Sequence, residues 1–181
     1  MSIIIPKFIC LVGPSGSGKS AVVDLLLKSD RFTTVRSTTT RPRRPTDTDA
    51  DYKFITNFEF VKKILSDQFI EYTKYADNQY GLEKTEIQSA CATGKIVVRP
   101  LDMCGTLKVK EWLGDECITI FILRDKHDLI QSILARNTST EDKLQRIMSI
   151  DHEIANSIHC DFIVPNNGTL DSLADKICRL L

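Results

Sequence analysis

A glycine-rich octapeptide between an apolar run and an amphipathic segment constrains this chain more than any other feature. Its residues, GPSGSGKS from Gly13 to Ser20, match the pattern G-x-x-x-x-G-K-S. The run from Phe8 to Val12 before it suits a strand buried on both faces, and helical spacing follows from Ser20 to Leu27. The sequence therefore predicts a strand, a phosphate-binding loop and a helix in that order.

This loop has the chemistry to hold the phosphates of a nucleotide. Its glycines let successive backbone N–H groups face one concavity, and the N-terminus of the helix adds partial positive charge. Lys19 would place its ammonium on the β- and γ-phosphates, and the Ser20 hydroxyl would ligate Mg²⁺. The remaining predicted ATP contacts are Gly13, Pro14, Ser15, Gly16, Ser17 and Gly18. The alternative is a turn with a solvated lysine, and the loop itself serves GTP switches, ATPase motors and small-molecule kinases alike.

Alternating strand and helix patterns predict the fold of the rest of the chain. β-Branched runs lie at 96–98, 118–122 and 162–164, and helical patterns follow them at 103–113, 126–135 and 169–180. Such alternation predicts a mainly parallel α/β sheet of the P-loop NTPase type, with right-handed crossovers and flanking helices. The 181 residues, 42% of them hydrophobic, suit a single domain over 1–181.

Residues 38–95 interrupt this alternation and predict an insertion between core segments 1–37 and 96–181. They contain a turn rich in arginine and proline, a helical pattern at 57–66, and apolar-aromatic runs at 52–55 and 69–72. We expect a small mixed α/β unit whose strands are partly antiparallel.

A polar segment at 136–143 separates two helical patterns and suits a mobile flap within a lid at about 132–146. The second helix is expected to begin at Thr140, with Thr140 as its cap. Lys143 stands where the acid of a capping box would be, so no box is expected.

Composition and charge limit the kinds of molecule that this chain can bind and the cellular compartment in which it works. Because 24 Lys and Arg balance 24 Asp and Glu, the chain has no general attraction for nucleic acid or an anionic membrane. The apolar run at 3–12 is interrupted by Pro6 and Lys7, is too short for a membrane span and lacks the features of a signal peptide, so we expect a cytoplasmic protein. The six cysteines have no C-x-x-C spacing, which favours buried thiols over disulfides or zinc ligands.

A second basic cluster begins at Ser37 and has three arginines within residues 41–44. Arginine forks match phosphate oxygens in a bidentate manner, so a second anion site is one interpretation. A solvated basic turn or a weak nucleic-acid contact is an equally good interpretation of the cluster alone.

Several segments together, in their order and spacing, are similar to those of the guanylate kinase family. They are Gly13 to Ser20; Ser37, Thr39, Thr40, Arg41 and Arg44; Asp51, Tyr52 and Phe54; Phe69, Ile70 and Glu71; Asn78, Tyr80 and Gly81; Gly94 and Lys95; and Leu101, Asp102, Met103 and Gly105. The resemblance extends from residue 8 to about residue 167.

The resemblance implies a role for each matching residue. Ser37, Arg41, Arg44, Tyr52 and Tyr80 would hold the phosphate of a nucleoside monophosphate, with Glu71 on the base and Asp102 beside the acceptor. Arg136 and Arg146 would contact the transferring phosphoryl group. The chemistry of Glu71 agrees, because a carboxylate accepts two parallel hydrogen bonds and guanine offers adjacent N1–H and N2–H donors. Taken singly, a tyrosine here is more often a packing residue, and a lone glutamate or arginine a solvated one.

The chain also departs from the family pattern. Leu82 stands where a Ser or Thr donates to guanine O6, and Pro100 replaces the first acid of a D-x-D, leaving Asp102 alone. Ser132 replaces a lid arginine, and the turn after Arg44 is one residue shorter and lacks Gly-Glu. These changes predict a slower enzyme, a different base preference, or compensation by neighbours such as Arg99.

The resemblance implies an enzyme that uses ATP and Mg²⁺ to phosphorylate GMP or dGMP. Its partners would be nucleotides, not nucleic acid or a membrane, and it would act as a monomer or homodimer. One alternative is a kinase for another nucleoside or deoxynucleoside monophosphate. The other is a non-catalytic guanylate-kinase-like module that binds phosphopeptides through Arg41, Arg44, Tyr52 and Tyr80.

Overall fold

The computed structural model describes residues 6–45, 47–49, 52–75 and 77–181. Ile3, Ile4 and Ile5 of the N-terminal apolar run, and Asp51 of the motif, lie outside the described residues. The strands are β1 (Phe8–Val12), β2 (Phe32–Thr33), β3 (Ser37–Thr39), β4 (Tyr52–Phe54), β5 (Phe69–Tyr75), β6 (Asn78–Glu83), β7 (Ile96–Pro100), β8 (Cys117–Leu123) and β9 (Phe162–Pro165). The helices are α1 (Lys19–Leu26), α2 (Asn57–Leu65), α3 (Lys84–Cys91), α4 (Met103–Leu113), α5 (Lys126–Leu134), α6 (Thr140–Ala155) and α7 (Leu170–Cys178).

The main sheet is parallel throughout and has the strand order β2-β7-β1-β8-β9. All five residues of the central strand β1 are buried, which agrees with its uninterrupted apolar sequence. The predicted α/β fold is therefore confirmed. The carboxyl ends of β1, β7, β8 and β9 lie at one edge of the sheet, where ligands bind in folds of this kind.

Helices cover both faces of this sheet. On one face, α1 and α7 contribute Val22, Leu26 and Ile177 to the core, while Val109 of α4 and Ile87 of α3 pack on the other. Burying each such side chain stabilises the fold by roughly 1.5–3 kcal/mol. Packing on both faces therefore holds β1 and the loop that follows it in place.

A second sheet has the strand order β4-β3-β6-β5. β3 pairs with β4 in parallel and with β6 antiparallel, and β5 pairs with β6 antiparallel. Helix α2 packs on this sheet through Phe60, whose ring stacks on Phe69 with centroids 4.5 Å apart. The expectation of a partly antiparallel unit is confirmed, whereas β6 and α3 had no specific prediction.

The segment between α5 and α6 differs from the prediction. Helix α6 begins at Thr140, but its cap is Ser139, whose hydroxyl accepts from the Asp142 N–H at 3.1 Å. Residues 140–143 form the first helical turn, so the connection is limited to 135–139. The prediction of Thr140 as the cap was wrong because the preceding residue also carries a hydroxyl, and a helix needs only one such side chain at that place.

The cysteines are free thiols, and their burial varies. Cys10 and Cys117 are buried on adjacent strands with their sulfurs 3.7 Å apart. Cys104 is exposed, contrary to the expectation of buried thiols, because it lies on the outer side of the first turn of α4. Within the described ranges, no helix has both the length and the apolar character that a membrane span requires.

Candidate active site

The glycine-rich loop connects the end of β1 to the start of α1, as the motif predicts. Gly13 has a φ of 144°, and a Cβ there would lie 2.7 Å from the carbonyl oxygen of Ile122. Gly18 has a φ of 98°, and a Cβ there would lie 2.8 Å from Nδ2 of Asn166. Only glycine fits both positions without strain, so the backbone of this loop depends on them.

Lys19 folds back over this loop. Its Nζ donates hydrogen bonds to the carbonyl oxygens of Gly13 at 2.5 Å and Pro14 at 2.9 Å. Burial is the main cause that lowers the pKa of Lys19 to about 8; Glu153 opposes this shift, and Arg136 and Arg146 contribute to it. Both arginines line one cavity together with Lys19.

One cavity of about 590 Å³ lies over the loop and brings most of the predicted donor-site residues together. The predicted residues that line it are Gly13, Ser15, Gly16, Gly18, Lys19, Ser20, Asp102, Arg136 and Arg146. Arg146 also donates from Nη1 to the Ser15 hydroxyl at 3.2 Å. The other two loop residues, Pro14 and Ser17, are buried and do not line the cavity.

The oxygen atoms in this cavity suit a magnesium ion bound mainly by phosphates and water. Ser20 offers a hydroxyl and Asp102 a carboxylate, both hard ligands of the kind Mg²⁺ prefers. Pro100 lines the same cavity but has no side-chain oxygen. The described residues contain no cluster of three or more metal-ligating side chains, so the nucleotide would have to supply the remaining ligands.

Two residues absent from the sequence predictions support the phosphate loop. Arg124 donates from Nη1 to the carbonyl oxygen of Gly16 at 2.9 Å and to the hydroxyl of Ser132 at 3.1 Å. Asn166 donates from Nδ2 to the carbonyl oxygen of Ser17 at 2.9 Å. Each residue directly follows a strand of the main sheet, β8 and β9 respectively, and this position is the sequence signal that indicates them.

The second basic cluster forms a structured site around Arg41. The Arg41 guanidinium is 8% exposed and lies 5.2 Å from the ring centroid of Tyr52 and 5.7 Å from that of Phe54. The rings of Tyr52 and Tyr80 are 6.4 Å apart, so these three predicted residues lie together. Arg41 also pairs with Asp47 at 2.9 Å, which raises the pKa of Arg41 and lowers that of Asp47. Asp47 was missed because an acid in a polar turn has no distinguishing sequence signal.

The other arginines of this turn are exposed. The backbone N–H of Arg44 donates to Oδ2 of Asp47 at 2.6 Å, while the Arg44 side chain faces solvent. Arg43 pairs with Asp49 at 2.7 Å. Arg43 is therefore a half-exposed cation that also lies 5.4 Å from the ring centroid of Phe54, whereas Arg41 is buried against the rings of Tyr52 and Phe54.

Ser37 pairs with Tyr52 in the second sheet, and Glu71 lies two strands away from Ser37, on β5. The Ser37 hydroxyl accepts a hydrogen bond from Nη2 of Arg99 at 2.6 Å. Burial and the nearby Asp102 raise the pKa of Glu71, while Lys108 and Arg99 oppose the increase. Because Asp102 also lines the cavity over the phosphate loop, the two parts of the site adjoin each other.

The lowered pKa of Lys19 predicts that proton uptake accompanies ATP binding. Phosphate charges favour the ammonium form, so they should raise a pKa of about 8 in the free protein. We expect net uptake of protons on ATP binding to be larger at about pH 9 than at about pH 7.5, and affinity to fall as the pH rises. Titration calorimetry in buffers of different ionisation enthalpy measures the uptake. Equal uptake at both pH values, or the same difference in Lys19→Ala, would contradict this expectation.

A phosphate loop follows the central strand of a parallel sheet, and Asp102 beside it adjoins Glu71 of the second sheet, next to which Arg41, Tyr52 and Tyr80 cluster. This arrangement defines a P-loop protein with a second, adjoining candidate site. The family model described as guanylate kinase matches residues 5–181 of this chain. The chain is 31% identical to a guanylate kinase of Campylobacter jejuni (strain RM1221) over 166 residues, covering 88% of this chain and 81% of that protein. It is 33% identical to a guanylate kinase of Thermotoga maritima over 166 residues, covering 90% and 80% of the two chains.

The fold agrees with these matches. The crystal structure of guanylate kinase from Anaplasma phagocytophilum superposes with a TM-score of 0.73 at 21% identity, covering 98% of this chain and 85% of that chain. The chain belongs to the guanylate kinase family and is an ATP-dependent phosphotransferase.

Proposed function

We propose that this protein transfers the γ-phosphoryl group of ATP to GMP or dGMP, giving ADP and GDP or dGDP. The observation that carries the proposal is the single cavity in which Lys19, Arg136 and Arg146 meet Asp102, which in turn adjoins Glu71. A donor phosphate on the loop and an acceptor on the second sheet would therefore face each other. The names of the relatives support the same reaction.

On the donor side, the chain's own groups supply positive charge and fixed geometry. The backbone from Gly13 to Ser20 would hold the phosphates, and Lys19 would exchange its carbonyl partners for phosphate oxygens. Arg136 and Arg146 would neutralise the charge on the transferring group, which is the main requirement of phosphoryl transfer. Ser20 would offer its hydroxyl to the Mg²⁺ that accompanies ATP, and the ion would supply further positive charge against the phosphates.

On the acceptor side, Arg41, Tyr52 and Tyr80 would bind the monophosphate, with Arg44 joining them from the exposed turn. A phosphate at Arg41 would compete with the Asp47 carboxylate for the same guanidinium. Ser37, which pairs with Tyr52, would also contact the phosphate and is the candidate donor to guanine O6, while Glu71 would contact the base. Asp102 would hold its position as the cap of α4, where its Oδ1 accepts from the Gly105 N–H at 2.7 Å.

A panel of monophosphates tests the proposed base preference. We expect GMP and dGMP to be phosphorylated best in a coupled assay of ADP release. IMP should follow, because it keeps N1–H but lacks the N2 amine and so leaves part of Glu71 without a partner. Bases that lack both donors should be poor substrates, because desolvating an unpaired carboxylate is costly. Equal or faster turnover of AMP, CMP or dTMP would contradict the guanine assignment.

A further inference from the structure

Arg99 stands where the two sheets of the protein meet. It lies near the carboxyl end of β7, and its Cα pairs with that of Cys10 in the central strand β1. Pro100, Leu101 and Asp102, which follow it, line the cavity over the phosphate loop. Its side chain crosses to the second sheet, because Nη2 bonds to the hydroxyl of Ser37 in β3.

Three residues form a row across the second sheet at this point. Glu71 of β5 pairs with Leu82 of β6, and Thr38 of β3 pairs with Gly81 of β6. Because β3 and β6 are antiparallel, Ser37 falls beside Leu82 in the next step of the same ladder. The row is therefore Ser37, Leu82 and Glu71, and directly opposed residues share one face of the sheet.

The middle of this row has no hydrogen-bond donor. Leu82 is 1% exposed and packs in the core with Val35 and Ile87. Ser37 on one side and Glu71 on the other are the polar groups that a base would meet. A guanine that donates its N1–H and N2–H to Glu71 would have its O6 towards Leu82. The aliphatic side chain of Leu82 cannot donate a hydrogen bond to this oxygen.

The guanidinium of Arg99 bonds to one end of the row and acts on the charge of the other. It donates to Ser37 Oγ at 2.6 Å, and its charge opposes the rise in the pKa of Glu71 that burial and Asp102 cause. It therefore brings N–H groups to Ser37, the neighbour of Leu82, whose side chain has no polar atom. In this arrangement Ser37 accepts from Arg99, so the serine hydroxyl hydrogen is available to a further acceptor.

We propose that Arg99 determines the base specificity of the acceptor site by binding the O6 and N7 edge of guanine. An arginine fork matches these two acceptors in a bidentate manner, and adenine instead presents an amino donor in place of O6. Arg99 thus replaces the contact that Leu82 cannot make. This inference rests on the proposed function. That function places a guanine base next to Glu71, and the inference assigns the O6 and N7 edge of the same base to Arg99.

Two substrates compared in two proteins test the contact. GMP has the N7 acceptor, and 7-deaza-GMP lacks only that atom. In the unmodified protein we expect the KM for 7-deaza-GMP to exceed that for GMP by roughly fivefold or more, since a bidentate pair loses one bond. In Arg99→Leu the KM for GMP should rise roughly 5- to 100-fold. The ratio of the two KM values should then fall to about one, with kcat changed much less.

Two further variants separate base recognition from a structural role. Arg179→Leu, at an exposed site at the end of α7, is the matched control and should keep the KM ratio of the unmodified protein. Arg99→Lys keeps the charge that faces Glu71 but loses the fork, so its ratio should also approach one. If Arg99→Leu does not fold, the contact is tested by comparing the KM ratio of 7-deaza-GMP to GMP in Arg99→Lys with the same ratio in the unmodified protein.

The outcomes distinguish this inference from the proposed function. A KM ratio of one in the unmodified protein, or a ratio unchanged by Arg99→Leu or Arg99→Lys, would overturn the role of Arg99 while GMP is still phosphorylated. Absence of GMP phosphorylation by the unmodified protein would overturn the proposed function and this inference with it.

Discussion

Replacing Lys19 with alanine should lower kcat by about two orders of magnitude or more while the protein stays folded. The Lys19 ammonium is the only positive group that the loop itself brings to the cavity, which Arg136 and Arg146 also line. Removing it leaves the phosphate charge less compensated as the γ-phosphoryl group moves. The folded state should tolerate the change, because Lys19 bonds to two carbonyl groups that water can reach from the open cavity.

The matched control for this variant is Lys28→Ala. Lys28 is exposed just beyond the end of α1, and its replacement should leave kcat unchanged. Steady-state kinetics with ATP and GMP, together with a thermal melting curve, decide the result. A folded Lys19→Ala protein that turns over at nearly the normal rate would show that the lysine does not act on the transferring group.

Replacing Arg41 with methionine should raise the KM for GMP roughly tenfold or more and leave the KM for ATP within about a factor of two. Arg41 follows β3 and packs against Tyr52 and Phe54 of the second sheet, outside the cavity over the phosphate loop. Methionine keeps an apolar chain of similar length against those rings, so the loss is mainly that of the guanidinium. The two KM values are measured by varying one substrate at saturation of the other.

Arg43→Met is the matched control for this second prediction. Arg43 belongs to the same turn, but its side chain is 50% exposed and pairs with Asp49. Its replacement removes an equal charge and should change the KM for GMP little. An equal or larger effect of Arg41→Met on ATP would mean that the donor and acceptor sites are assigned the wrong way round.

The parts of the fold that the sequence predicts are those whose pattern is strong and local. The apolar run of β1 and the β-branched run of β8 have the continuous apolar sequence of a strand covered on both faces, and most of their residues are buried. By contrast, β2 has only two residues, Phe32 and Thr33, and exists because β7 lies beside it. Such a strand has no periodicity of its own and depends on its partner.

In the site as well, residues that are contiguous in sequence could be predicted, whereas residues that reach the loop from distant parts of the chain could not. The phosphate loop is contiguous, so Gly13, Gly18 and Lys19 could be assigned from spacing together with their flanking elements. Arg124 and Asn166 contact the same loop from the ends of β8 and β9, over 108 and 149 residues of sequence. Nothing in their neighbouring residues distinguishes them from surface side chains. Their position after predicted strands of a parallel sheet is the one available indication.

Leu82 and Pro100 illustrate what sequence departures can and cannot indicate. Both positions indicate a changed site, and the sequence offers Arg99 as a neighbour that could compensate, without showing what its side chain contacts. The structure puts Leu82 in the core and Arg99 against Ser37 beside it. The compensation proposed for Leu82 comes from β7, and only the assembled fold shows that Arg99 of this strand contacts Ser37 of β3.

The central claim, that this protein moves the γ-phosphoryl group of ATP to a guanine monophosphate, is tested most directly by following a labelled phosphate. The protein is incubated with Mg²⁺, ATP labelled in the γ-position and unlabelled GMP, and the products are separated. We expect the label to appear in GDP in a one-to-one ratio with the ADP formed, and almost none to be released as inorganic phosphate. Label that stays in ATP, or that appears as inorganic phosphate at the same rate with and without GMP, would contradict the account.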